Sequence, residues 1–231
     1  MNEKFNNDKT YHKTLTYGAA AFLVLIILEA IAYYGFFRHI PGFFSKYLIW
    51  VIYLNISVVS IAMAALYIML NKTKVPCMTG MMIGMTIGMQ IGMMIGAVIG
   101  ATNGYFTGAM VGMIFGSVGG ILAGLTSNST MSWVQGLMSG IMGGTMGPMI
   151  SVMIFTDRVF VFMPVYILIN LVLLWGFMKM YHEEAIKGNE DLIRSNIDLL
   201  TFVSACIIIS AILIIIMIYG PKSAIFASYY G

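Results

Sequence analysis

The chain has 231 residues, of which 60% are hydrophobic and only 9% charged, with a formal net charge of +3. An ordinary globular domain carries about 25% charged residues, so too little charge is present to coat a water-facing surface. A polytopic membrane protein is indicated, and lysines and arginines scattered over its loops leave no nucleic-acid footprint.

The composition predicts an all-α integral membrane protein forming a single domain over residues 1–231. A polar tail, 1–15, precedes the first apolar run, which is too long for the apolar part of a cleavable signal. About seven transmembrane helices are expected, near 16–37, 47–70, 76–101, 105–125, 131–155, 160–180 and 198–219, with a loop at 181–197. Polar or turn-forming residues separate them: 38–42, 71–74, Thr102-Asn103-Gly104, 127–130 and 156–158. Pro76 suits the first turn of the third helix.

The first span contains Glu29, in LIILEAIAYYG. An ionisable group at such depth costs about 3 kcal/mol or more, and normally faces the bundle or a wet cavity. Glu29 is expected to serve charge compensation or proton coupling; the plainer alternative is a carboxyl bonded to a neighbouring helix. In the second span, Asn55-Ile56-Ser57 fits a glycosylation sequon, but its place inside the span should leave it unused.

Between Lys74 and Asp157 no Asp, Glu, Lys, Arg or His occurs. About 20 residues cross a bilayer, so this block must fold back and forth, and lipid favours helices. Within it, glycine occupies every fourth position: Gly80, Gly84, Gly88, Gly92, Gly96, Gly100, Gly104, Gly108, Gly112, Gly116, Gly120 and Gly124. The pattern returns as Gly136, Gly140 and Gly144. A four-residue step overshoots one helical turn by about 40°, so such a stripe drifts slowly and favours right-handed coiling. Small residues let helix backbones touch inside lipid. Spans three and four should therefore pack backbone to backbone around Asn103-Gly104, with span five joining them in a glycine-zipper packed core. Pro148 should kink span five.

Methionine accompanies the glycine. Met81, Met85, Met89 and Met93 also recur every four residues, beside Met78, Met82 and Met94, and span five adds Met142 and Met146. Thioether and thiolate sulfur select Cu(I) over hard cations. Cys77, Met78, Met81, Met82 and Met85 would form a site at the cytoplasmic end, with Met89, Met93 and Met94 as the path beyond. Cu(I) or Ag(I) is the expected ligand or substrate, since weak repeated sites suit conduction of a soft cation. The M-x-x-x-M pair Met85/Met89 and the G-x-x-x-G pair Gly80/Gly84 resemble the motifs of the Ctr copper transporters. That resemblance implies copper handling; those proteins have three spans and trimerise, so it does not extend to the fold. The contrasting reading makes methionine a flexible filler beside flat glycine surfaces. The chain is then a structural or assembly subunit, forming a homo-oligomer or docking a partner membrane protein.

Gln90 and Thr86 suit helix bridging more than a pathway. His182-Glu183-Glu184 lacks metal-ligand spacing, and Cys77 and Cys206 are too far apart for a C-x-x-C motif. No Ser-His-Asp grouping, phosphate-binding loop or carboxylate pair occurs, so no enzyme activity is expected. Lysines and arginines number eight on the N-terminal side against four on the other. That count predicts a cytoplasmic N-terminus, an external C-terminus and a cell-membrane location.

Overall fold

A computed structural model describes residues 2–35, 47–72, 75–127, 129–155, 159–186, 193–194 and 198–223. Within them run seven helices long and apolar enough to cross a bilayer: α1 (Asn2–Gly35), α2 (Leu48–Leu70), α3 (Cys77–Asn103), α4 (Tyr105–Gly124), α5 (Thr130–Ile154), α6 (Val159–Tyr181) and α7 (Leu199–Tyr219). The protein is an all-α, seven-span membrane protein. The expected breaks at 38–42 and 156–158, with Lys46, Lys74 and Lys187, lie outside the described residues.

Two boundaries differ from expectation. The polar tail is not separate, because α1 runs unbroken from Asn2 and its apolar part is Thr14–Ile31. No proline or glycine precedes Gly18, so nothing in the tail interrupts the helix. The loop after α6 begins as one π-helical turn, His182–Ile186, and Asn71-Lys72 pairs antiparallel with Ile193-Arg194.

The connections inside the glycine block are very short. Gly104 alone joins α3 to α4, at φ 108°, a backbone conformation that a side chain strains. A single 3₁₀ turn, Leu125–Ser127, and Ser129 lead into α5. Connections this short force neighbours antiparallel, so α3 and α5 run parallel with α4 reversed beside them.

α3 is the most deeply buried span, and its tetrapeptide explains why. Successive positions of G-M-x-I drift together around the helix, so each position keeps one destination. The isoleucines Ile83, Ile87, Ile91, Ile95 and Ile99 are buried in the main core, with Trp50 and Leu54 of α2 and Met163 and Tyr181 of α6. The glycines face α4 and α5. A second apolar cluster, including Ala21, Leu25, Val59 and Cys206, holds α1, α2 and α7 together.

Polar ties close both ends of the bundle. At the start of α3, Thr79 Oγ1 donates to Glu184 Oε2 over 3.3 Å, and Tyr67 OH pairs with His182 Nδ1 at 3.2 Å. At its far end, Asn103 Nδ2 donates to the Ile216 carbonyl over 3.0 Å and Thr107 Oγ1 to that of Pro221 over 2.7 Å. The Ser223 amide returns a bond to the Asn103 carbonyl at 2.9 Å.

Candidate functional site

The site begins with how closely three backbones approach. A Cβ built on Gly92 would lie 2.4 Å from the Gly144 nitrogen, and one on Gly108 would lie 2.6 Å from the Gly100 Cα. On Gly120 it would meet the Gly136 carbonyl oxygen at 2.2 Å, and on Gly140 the Ser117 nitrogen at 2.3 Å. Backbone cannot yield as a side-chain tip can, so a Cβ at any of these positions would push the helices apart. Farther along, Gly96 and Gly100 form a notch for Pro148, whose ring would sit 3.0 Å from a Cβ on Gly96. From Gly80, which faces Ser127 and Ser132, to Gly100, which faces Pro148 and Ser151, the α3 stripe never leaves the α4–α5 groove. A stripe of period four remains at an interface over that length only when the helices wind around one another.

Because the methionines of α3 follow the glycines by one residue, they follow the same winding, about 100° to one side. That side is α5. A Cβ on Gly143 would lie 2.4 Å from the Met89 carbonyl oxygen, and one on Gly147 would lie 2.5 Å from that of Met93. Met142 and Met146 each precede one of those glycines, so they stand level with Met89 and Met93. On α5, Gln135, Met142 and Met146 fall within about 40° of one another, forming one row. Where that row meets α3, Gln135 Nε2 donates to Met85 Sδ over 3.7 Å. Met85, Met89 and Met93 thus face Gln135, Met142 and Met146 across the α3–α5 seam, on the side away from α4.

This seam lies on the flank of the helix trio, not in its interior. Met85 is 45% exposed and Met146 45%, while Met89 and Met93 are half-buried. Next in the α3 row come Ala97 and Ala101, both fully buried. The sulfur row on α3 therefore occupies its first two thirds and ends where other helices cover it.

The remaining expected site residues scatter. Cys77, Met81 and Met85 share the row, and the Cys77 thiol pairs with Ser129 Oγ at 2.9 Å. Met78 and Met82 point outward, Met78 at 72% exposure. Met94 is buried in the main core, as packing and not as the next step of a path. Gln90 is buried with its amide oxygen unpartnered among the described residues. Glu29 belongs to a different neighbourhood: its carboxylate is bonded to Asn55 on α2, in the part of the molecule where α1 packs on α2 and α7. It stands apart from the sulfurs that it was expected to compensate. No group of three or more His, Cys, Asp or Glu suited to a metal occurs among the described residues.

Three participants escaped sequence reasoning. Gln135 carries no motif, and its role appears only once the offset between α3 and α5 is known. Asn55, set aside as an unused sequon, is fully buried and bonds Glu29. Ser210 bonds Asn55; a serine in the midst of an isoleucine-rich stretch was the available signal. Comparison with family models, curated proteins and solved structures finds no match.

Proposed function

We propose that the protein holds a soft monovalent cation, Cu(I) or Ag(I), along the α3–α5 seam. The observation that carries this reading is the level placement of two sulfur rows, Met85/Met89/Met93 and Met142/Met146, joined at the Gln135–Met85 contact. Methionines at i and i+4 share a face, and a second helix in register brings further thioethers alongside. Neutral thioethers bind soft cations weakly and exclude hard ones. Cys77 and Met81 at the start of the row form its receiving end, on the cytoplasmic side in the topology the charge bias favours. Since the α3 row stops at Ala97, storage or hand-over fits better than passage through this seam alone.

The test is a quadruple Met85, Met89, Met142 and Met146 to Leu variant. Leu and Met differ little in volume, so the bundle should keep its thermal stability. Silver binding to the purified protein should weaken at least about tenfold, or about 1.4 kcal/mol. Unchanged silver affinity removes the metal reading.

One observation favours a second reading, an assembly subunit. Met110, Ile114, Val118 and Leu122 on α4 form an exposed row two residues from the glycines. The glycines themselves are occupied by helices of the same chain, so oligomer contacts would use this outer row instead. In that case Met→Leu changes in the seam are silent, and polar substitutions at Val118 and Leu122 alter the size of the detergent-solubilised particle.

A further inference from the structure

A second site lies where α1, α2 and α7 meet, within the span of each helix. Asn55 Nδ2 stands 2.7 Å from both Glu29 Oε1 and Glu29 Oε2, and Ser210 Oγ donates to Asn55 Oδ1 over 3.0 Å. Asn55 and Ser210 are fully buried, while Glu29 keeps part of its surface open beside exposed Leu28. Neither α2 nor α7 carries an Asp, Glu, Lys, Arg or His. Their titratable groups are Tyr53, Tyr67, Cys206 and Tyr219. Tyr53 precedes Asn55 by two residues and so lies about 160° around the helix from it. Tyr67 bonds His182 at the other end of α2. Cys206, one turn before Ser210, is buried in the apolar cluster, and Tyr219 is exposed at the end of α7. On α1 itself, Tyr33 and Tyr34 follow Glu29, and no other titratable residue lies between Tyr17 and Glu29.

We propose that Glu29, Asn55 and Ser210 form an intramembrane proton-binding site. Glu29 takes up and releases the proton, and Asn55 and Ser210 are positioning residues. The argument is one of hydrogen-bond inventory. With Glu29 ionised, the Ser210 hydroxyl donates to the Asn55 carbonyl and the Asn55 amide donates to the carboxylate, as observed. When a proton adds to a carboxylate oxygen, no other covalent bond changes. Asn55 then turns its amide over, accepting from the Glu29 hydroxyl and donating to Ser210. Asn55 donates through its nitrogen and accepts through its oxygen in both states, so protonation orphans neither atom at a place where an unpaired polar group is costly. A lysine partner would have locked the charged form; a leucine in place of Asn55 would have excluded it.

Dicyclohexylcarbodiimide tests this on the full chain in lipid vesicles. The O–H of a protonated carboxyl adds across one C=N bond of the reagent, and acyl migration leaves a stable N-acylurea that mass spectrometry locates. Labelling of Glu29 is expected to fall as pH rises and to be absent in Glu29→Gln. In Asn55→Leu both forms lose a bond, but the charge-assisted one to the carboxylate is the stronger, so the half-labelling point should move upward by about one pH unit or more. No labelling of Glu29 between pH 5 and pH 9, or an unmoved profile in Asn55→Leu, overturns the proposal. If Asn55→Leu does not fold, infrared difference spectra of the wild-type chain carry the same test. A titrating carboxyl band must be accompanied by a change in an asparagine amide band; a carboxyl band titrating alone overturns the relay.

Discussion

Gly92 and Gly176 illustrate how differently two glycines in this chain are constrained. A Cβ at Gly92 would press on the Gly144 nitrogen and the Gly143 carbonyl carbon, whereas at Gly176 nothing lies within 4 Å. Gly92→Ala should therefore destabilise by about 1–3 kcal/mol through overpacking against backbone. Gly176→Ala should stabilise by about 0.5–1 kcal/mol, since only helix propensity changes. Thermal unfolding of the two variants in the same detergent checks the contrast. The glycines of the tetrapeptide were readable one residue at a time, because each step of four repeats the same environment. The methionines were not, since their surroundings depend on which neighbour covers each level: Met94 is enclosed, Met85 is open and Met78 faces outward.

At the scale of elements, the pairing of α3 with α4 and α5 followed from the stripe itself. A surface without side chains has no other stable use inside lipid than contact with another such surface. What the stripe did not encode was the offset between α3 and α5, which sets Met142 level with Met89. At that offset Pro148 seats against Gly96 and Gly100. Pro148→Ala leaves the notch half filled, and should lower stability by about 1–2 kcal/mol through the lost packing. It should also reduce silver binding if the seam holds the ion, a joint outcome measured on one preparation. Glu29 was legible as an anomaly, but its partners were not. Asn55 lies 26 residues and Ser210 181 residues away, and the sequence carries nothing to link them.

For the whole molecule, two spans, α1 and α2, precede α3, so the start of α3 is expected on the same side of the bilayer as the start of α1. Cys77 opens α3 and is exposed, whereas Cys206 is buried in the α1–α2–α7 cluster. A membrane-impermeant maleimide should therefore label Cys77 from the side of the N-terminus only, and Cys206 from neither. Labelling of Cys77 from the opposite side would require an even number of spans before α3 to be replaced by an odd one. The span count was legible because lipid imposes length and apolarity so strictly. The extent of α1 was not, because a polar helix beyond the bilayer obeys no such limit.

The clasp at the far end of α3 has a bearing on how the chain is built. Asn103 and Thr107 flank the one-residue bend at Gly104, and they bond Ile216 and Pro221, which lie 113 and 114 residues further along. While the ribosome is still making the intervening helices, the amide of Asn103 and the hydroxyl of Thr107 wait for partners that have not yet been synthesised. The glycine hairpin can dock early, but its tip is fastened only when the seventh helix arrives, so a chain stopped before Ile216 should be open to proteases at that bend.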